Sequence, residues 1–121
     1  MSNRKPLIAG NWKMNKSVLD AIKSSEELSK LVSDVNNVDV MIAPPFTALS
    51  LVHEKIKGSL ISLGAQNIFW EKQGAYTGEI SAEMILSTGC QYVIIGHSER
   101  RQYFNETDES VNKKNTSGTF Q

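Results

Sequence analysis

Two short segments of the chain carry side chains suited to chemistry on a small anionic substrate. Asn11 and Lys13 follow a first apolar segment, and His97 and Glu99 follow a later one at 92–95. Because the carboxyl ends of parallel strands meet at one edge of a sheet, we expect these four groups to lie together. An amide, an ammonium and an imidazole in one place could polarise a carbonyl and stabilise developing negative charge. Polar residues at strand ends also serve as helix caps and salt-bridge partners, so the spacing alone leaves both interpretations open.

The elements that must position these groups alternate along the chain. Apolar runs of strand length lie at 6–11, 38–43, 60–66 and 92–95. Between them, apolar residues recur at helical spacing. This order predicts an α/β fold with a parallel sheet and right-handed crossovers, either an open doubly wound sheet or part of a closed (β/α)8 barrel. No glycine-rich or Walker phosphate loop follows the first run, which disfavours a nucleotide-binding open sheet.

Local signals predict where helices begin and identify one long loop. Ser17 and Ser81 are typical helix N-caps, and the apolar spacing after Ser17 continues as far as Val35. The connection at 66–81 is longer than most loops of compact domains, and such loops are usually functional. It carries three aromatic residues, Phe69, Trp70 and Tyr76. We expect these rings to be exposed and to form a docking surface.

The composition excludes several classes of function. The 121 residues include 13 basic and 13 acidic side chains, so the formal net charge is zero and no basic surface is predicted for nucleic acid. The single cysteine, Cys90, excludes an internal disulfide and fits a reducing compartment. No apolar segment has the length of a secretory signal or a membrane span. The chain is predicted to be a cytoplasmic globular protein without nucleic-acid or membrane partners.

Five motifs, in the same order, resemble signature segments of the triosephosphate isomerase family. They are GNWKMN at 10–15, APPF at 43–46, GAQN at 64–67, GAYTGEIS at 74–81 and GHSERR at 96–101. The resemblance implies a (β/α)8 TIM barrel, of which this chain carries the first four β/α units. It also implies an isomerase of glycolysis and gluconeogenesis that uses no cofactor or metal. Its substrates would be dihydroxyacetone phosphate and glyceraldehyde 3-phosphate, interconverted through an enediolate.

The resemblance also implies a role for each polar residue of the two segments. Lys13 would meet the substrate phosphate and support the negatively charged intermediate, and Asn11 would orient both substrate and lysine. His97 would act as an electrophile in its neutral form. Glu99 would be a supporting carboxylate near the lysine.

A homodimer interface is implied by the same resemblance. Met14 would pack against the long loop of a partner subunit, and Thr77 would reach from this chain's own loop toward the partner's Asn11 and Lys13. Arg100 would belong to a salt-bridge network at the interface. Gln66 and Glu79, at the two ends of the 66–81 loop, complete the predicted interface set.

The chain departs from the family in its length and in its last residues. The general-base glutamate, the lid and the phosphate-binding loops belong to the second half of the barrel, and no glutamate of this chain matches the base by motif. We therefore expect a half barrel at 1–114 without isomerase activity of its own. Residues 115–121 have weak helix propensity and no apolar stripe, which predicts a divergent tail. Asn105 stands where the family usually has glycine.

Two other functions remain compatible with the sequence. The chain could be a catalytically inactive module that dimerises through the 66–81 loop and Met14, since both sides of that predicted interface lie within it. An open-sheet nucleotide binder of flavodoxin-like type is the third interpretation, although the chain lacks a phosphate loop.

Overall fold

Within residues 5–117, four parallel strands form a single sheet in which the strands follow one another in sequence order. The computed structural model describes residues 5–117. The strands are β1 (Leu7–Asn11), β2 (Asp39–Ala43), β3 (Ile61–Ala65) and β4 (Tyr92–Val93). Each connection between neighbouring strands contains a helix, as parallel pairing requires. The predicted order of β/α units is confirmed.

The helices are α1 (Val18–Leu31), α2 (Leu49–Ile56), α3 (Ala82–Ser87), α4 (Ser98–Tyr103) and α5 (Asp108–Ser117). A single 3₁₀ turn, Phe46–Ala48, leads into α2. Both predicted serine caps are present. The Ser17 hydroxyl accepts a hydrogen bond from the backbone N–H of Asp20 at 3.3 Å. The Ser81 hydroxyl does the same for Met84 at 3.2 Å. Each cap satisfies a donor that the first turn of its helix leaves unpaired.

The strand register brings the carboxyl ends of the strands to one edge of the sheet. Asn11, the last residue of β1, lies opposite Ala43, the last residue of β2. Ala65, at the end of β3, lies opposite Val93 of β4. The polar residues that follow β1, β3 and β4 therefore leave the sheet on the same side.

The apolar core lies between the sheet and helices α1 to α3. Its most completely buried large side chains are Leu49, Leu63, Ile68, Ile85 and Val52. The core also includes Cys90, which is buried. Burial raises the pKa of the Cys90 thiol, and a hydrogen bond from Thr88 lowers it to a smaller extent. This cysteine is thus a buried residue with little thiolate character.

In the structure, β4 and α1 both end earlier than the sequence predicts. β4 spans two residues rather than the whole run at 92–95, although the N–H of Ile94 still donates to the Ala65 carbonyl at 2.8 Å. The chain then turns at Gly96, whose φ of 69° is a left-handed conformation that favours glycine. α1 ends at Leu31 rather than near Val35. The Ser33 hydroxyl donates to the Lys30 carbonyl at 3.0 Å and competes with continuation of the helix.

The last helix, α5, extends beyond Lys114, where the weak helix propensity of the sequence predicts its end. α5 runs through Asn115 to Ser117, so the first three residues of the predicted tail are helical. Hydroxyls of Thr116 and Ser117 donate to carbonyls four and three residues earlier in the chain. Residues 118–121 of that tail lie outside the described residues. Whether the tail diverges from the family stays a prediction.

None of the helices within residues 5–117 has the length and apolar character that a membrane crossing requires.

Candidate active site

The loop after β1 holds Lys13 in a strained backbone conformation. Its φ of 57° is left-handed, which costs a residue with a Cβ roughly 1–2 kcal/mol. The Asn11 side-chain oxygen accepts a hydrogen bond from the Lys13 N–H at 2.9 Å. Such strain persists only where neighbouring groups fix the backbone, and it is concentrated at functional sites.

Gln66, directly after β3, ties this loop to the sheet. Its side-chain nitrogen donates to the Lys13 carbonyl at 2.8 Å and to the Ala43 carbonyl at 2.8 Å. The N–H of Trp12 donates to the same Ala43 carbonyl at 3.1 Å. One amide side chain after β3 thus connects the loop after β1 to the end of β2.

His97 lies at the N-cap of α4. Its Nδ1 accepts a hydrogen bond from the backbone N–H of Glu99 at 3.0 Å. A ring nitrogen that accepts a hydrogen bond carries no proton, so the neutral imidazole has its proton on Nε2 and can donate from there. The sequence predicts a helix directly after this histidine, and the cap explains how the helix fixes the ring.

Glu99 forms an ion pair with Lys13. The Lys13 Nζ lies 2.9 Å from Oε2 of Glu99, and both side chains are about half exposed. The hydrogen bond from Lys13 lowers the pKa of the Glu99 carboxyl, and the positive charge of Lys13 adds a smaller lowering contribution. Partial desolvation opposes these effects. Oε1 lies 3.6 Å from the His97 Nδ1, which is too far for a hydrogen bond and leaves that nitrogen to the backbone N–H.

These groups line one cavity at the carboxyl edge of the sheet, with a volume of about 430 Å³. Its lining includes all four predicted catalytic residues, Asn11, Lys13, His97 and Glu99. This volume is in the range of small-molecule sites. The cavity carries an ammonium and a neutral imidazole donor, which suits an anionic substrate with a polarisable carbonyl. No cluster of three or more His, Cys, Asp or Glu side chains that could hold a metal ion occurs among residues 5–117.

The residues predicted for a subunit interface lie in different surroundings. Met14 is 94% exposed, and Thr77 and Glu79 are exposed in the 66–81 loop. Gln66 instead donates its side-chain N–H groups to backbone carbonyls of its own chain. Arg100 donates to Glu106 of the same chain at 2.8 Å. The contacts of all five with a second subunit stay predictions.

The aromatic residues of the 66–81 loop are less exposed than the sequence suggests. Phe69 stacks on Trp70 with ring centroids 4.1 Å apart, and Tyr76 lies 4.7 Å from Phe69. Lys113 of α5 lies over the Trp70 ring at 5.1 Å. Tyr76 is 44% exposed, whereas Phe69 and Trp70 are partly buried. The expectation that all three rings are exposed is wrong, because the loop packs on itself.

A buried ionic cluster beside the site has no counterpart in the sequence predictions. Lys114 Nζ lies 2.8 Å from Oε2 of Glu106 and 3.0 Å from Oδ1 of Asn67, and Arg100 shares the same Glu106 oxygen. Lys114 is 5% and Glu106 is 8% exposed. Burial alone would raise the pKa of Glu106, but the hydrogen bonds from Lys114 and Arg100 outweigh it and lower the pKa. No local sequence signal marks Lys114 as buried, because its partner Asn67 lies 47 positions away in the chain.

Comparison with known proteins identifies the family. The family model described as triosephosphate isomerase matches residues 6–118. Over 111 residues the chain is 61% identical to the triosephosphate isomerase of Endomicrobium trichonymphae, covering 92% of this chain and 44% of that protein. It is 60% identical over 111 residues to the triosephosphate isomerase of Caldanaerobacter subterraneus subsp. tengcongensis, with the same coverage. The chain therefore spans somewhat less than half the length of these curated relatives.

The crystal structure of triosephosphate isomerase from Bartonella henselae has a similar fold. It matches with a TM-score of 0.78 and 38% identity, over 95% of this chain and 47% of that one. The prediction that the chain forms the first four β/α units of a (β/α)8 barrel is confirmed, and the flavodoxin-like open sheet is excluded. On both sequence and fold, the chain belongs to the triosephosphate isomerase family.

Proposed function

We propose that this chain supplies the electrophilic part of a triosephosphate isomerase site, which interconverts dihydroxyacetone phosphate and glyceraldehyde 3-phosphate. The observation that carries the proposal is the arrangement of Lys13 and His97 around one cavity, linked through Glu99. The reaction needs no cofactor, since it moves protons between two carbons and two oxygens of one substrate. Glycolysis and gluconeogenesis in the cytoplasm would be its setting.

The chemistry follows from where charge develops on the substrate. Removal of a proton from carbon beside the carbonyl leaves negative charge on the carbonyl oxygen, as an enediolate. The Nε2–H of His97 can donate to that oxygen, and the ammonium of Lys13 stabilises the same charge and attracts the phosphate. Asn11 keeps Lys13 in place through the hydrogen bond to its N–H.

The carbon proton must be taken by a base, and no glutamate of this chain matches the family's base by motif. Glu99 is paired with Lys13, and its lowered pKa makes it a weak proton acceptor. Glu106 is buried and holds two cations. We therefore propose that residues 1–121 alone interconvert the two triose phosphates no faster than the uncatalysed background.

Fusion to a complementary half barrel tests the proposal. Residues 1–114 are joined to the part of the Endomicrobium trichonymphae relative that this chain does not match, and isomerisation is followed in a coupled assay. We expect activity in the fusion and none in residues 1–121. A folded fusion without activity, or turnover by 1–121 near that of the intact relative, would overturn the proposal.

A dimerisation module without catalysis is the second candidate function. Met14 is 94% exposed, and the 66–81 loop presents Tyr76, Thr77 and Glu79 to solvent. A homodimer in which the loop of one chain docks near Met14 of the other would cover these residues, with Gln66 and Arg100 at its margin. Sedimentation of 1–121, alone and mixed with an intact family member, distinguishes the cases. A monomer in both samples would reject the module.

A further inference from the structure

We propose that Gln66 is a positioning residue for Lys13: its side-chain amide holds the lysine carbonyl and thereby keeps the loop in the conformation that presents Nζ to the cavity. The catalytic consequence rests on the proposed function, whereas the positioning itself does not. The family resemblance implies a subunit interface for Gln66, a role that assigns it no task in the site.

The two donors of the Gln66 amide are both committed to backbone carbonyls of its own chain. They reach Lys13, 53 residues away, and Ala43, 23 residues away, each at 2.8 Å. Only the side-chain oxygen remains available for any other partner. A glutamine whose only role was contact with a second subunit would not donate both of its side-chain N–H groups to its own chain.

Both backbone polar groups of Lys13 are therefore held by side chains. Asn11 accepts from its N–H at 2.9 Å, and Gln66 donates to its carbonyl at 2.8 Å. A lysine at φ 57° has no intrinsic preference for that conformation. Loss of the Gln66 bond would allow the backbone to return to negative φ, and the side chain would leave the cavity with it.

The ion pair between Lys13 and Glu99 reports on this positioning. Nζ of Lys13 lies 2.9 Å from the Glu99 carboxylate, and this contact is the main cause of the lowered pKa of Glu99. If Lys13 moves away, the pKa of Glu99 must rise toward its ordinary value of 4.5. A loss of stability alone would not move this titration in the molecules that remain folded.

The experiment titrates Glu99 by carboxyl-carbon NMR in residues 1–121, comparing the parent with Gln66→Met. Methionine keeps the length of the side chain and removes both donors. We expect the Glu99 midpoint to rise by a measurable fraction of a pH unit, and the Lys13 Cα and Cβ shifts to leave the left-handed range. Lys13→Met removes the ammonium and gives the largest rise expected in the Glu99 midpoint. Gln91→Met is the matched control because Gln91 is exposed. An unchanged midpoint and unchanged Lys13 shifts in Gln66→Met would overturn the proposal.

A second measurement needs no variant and covers the case in which Gln66→Met does not fold. In the parent, the side-chain N–H groups of Gln66 should exchange with solvent more slowly than those of the exposed Gln73 and Gln91. Equal exchange rates would overturn the proposal. In an active fusion, Gln66→Met should lower kcat/KM by about 100-fold. An inactive fusion would reject the proposed function and leave the titration result standing.

Discussion

The part of the chain from β1 to α3 and the part from α4 to α5 are held in place by different forces. Among residues 5–117, the buried members of the apolar core lie at positions 21–90. α4 has no buried residue, and the buried residue of α5 is Lys114. The first part, which we call the core region (residues 7–90), is stabilised by apolar burial. The second, which we call the ionic region (residues 96–117), is fixed mainly by charge pairs.

Because of this difference, the candidate site combines residues that are held in place by different forces. Asn11, Lys13 and Gln66 come from the core region, whereas His97 and Glu99 come from the ionic region. The two halves meet in the contact between Lys13 and Glu99 at 2.9 Å. The geometry of the site therefore depends on how firmly the ionic region is attached, and that attachment is sensitive to pH.

The largest effect is expected from a cavity in the core region. Leu63→Ala removes a side chain that is 1% exposed, and such substitutions cost about 2–5 kcal/mol. Urea unfolding should show this loss as a lower free energy of unfolding for the whole chain. Leu31→Ala, at an 80% exposed leucine of α1, is the control and should change stability by less than about 0.5 kcal/mol. Equal effects of the two variants would contradict the assignment of the core.

A somewhat smaller and local effect is expected from the ionic region. Glu106→Gln removes the negative charge that Lys114 and Arg100 share but keeps an amide oxygen as acceptor, so we expect a loss of about 1.5–3 kcal/mol in all. Hydrogen exchange should accelerate in α5 while α2 keeps its protection. Glu109→Gln is the matched control, because Glu109 is exposed in its pair with Lys113. If α2 and α5 lost protection together, the two regions would be one cooperative unit.

Lowering the pH should weaken the ionic region before the core region, without any substitution. Glu106 has a lowered pKa in the folded chain. Its contribution to stability is therefore complete at pH values well above its ordinary pKa of 4.5, and it is lost as the pH falls through the folded pKa. The apolar contacts of the core region carry no such dependence. Exchange in α5, measured as the pH is lowered from 6 toward 3 and corrected for the intrinsic rate, should lose protection before exchange in α2. Glu106→Gln should remove most of this difference.

The turn between α4 and α5 should show the smallest of these effects. Asn105 has a φ of 56°, which asparagine tolerates and a β-branched residue does not. Asn105→Val should cost roughly 1–2 kcal/mol, and Asn105→Gly should change stability by only a few tenths of that. Thermal melts of both variants measure the difference. A neutral valine variant would show that the turn is not fixed in the left-handed conformation.

Local sequence signals predicted the elements of the core region well, because periodicity and caps are local. Ser17 and Ser81 begin their helices where the sequence places them. The bonds of Gln66 to Lys13 and of Lys114 to Asn67 join residues 53 and 47 positions apart. No local pattern encodes such contacts, and they decide how the site is held. For the same reason Lys114 reads as an ordinary helix charge although it is buried.

The isomerase activity of the fused barrel, with and without Lys13, tests the central claim most directly. The claim is that these residues supply the electrophilic groups of the site. We expect Lys13→Met to lower kcat of the fusion by at least about 100-fold while the protein remains folded, since removal of one charge-stabilising group costs about 10²–10³. Full activity in the Lys13→Met fusion would contradict the account.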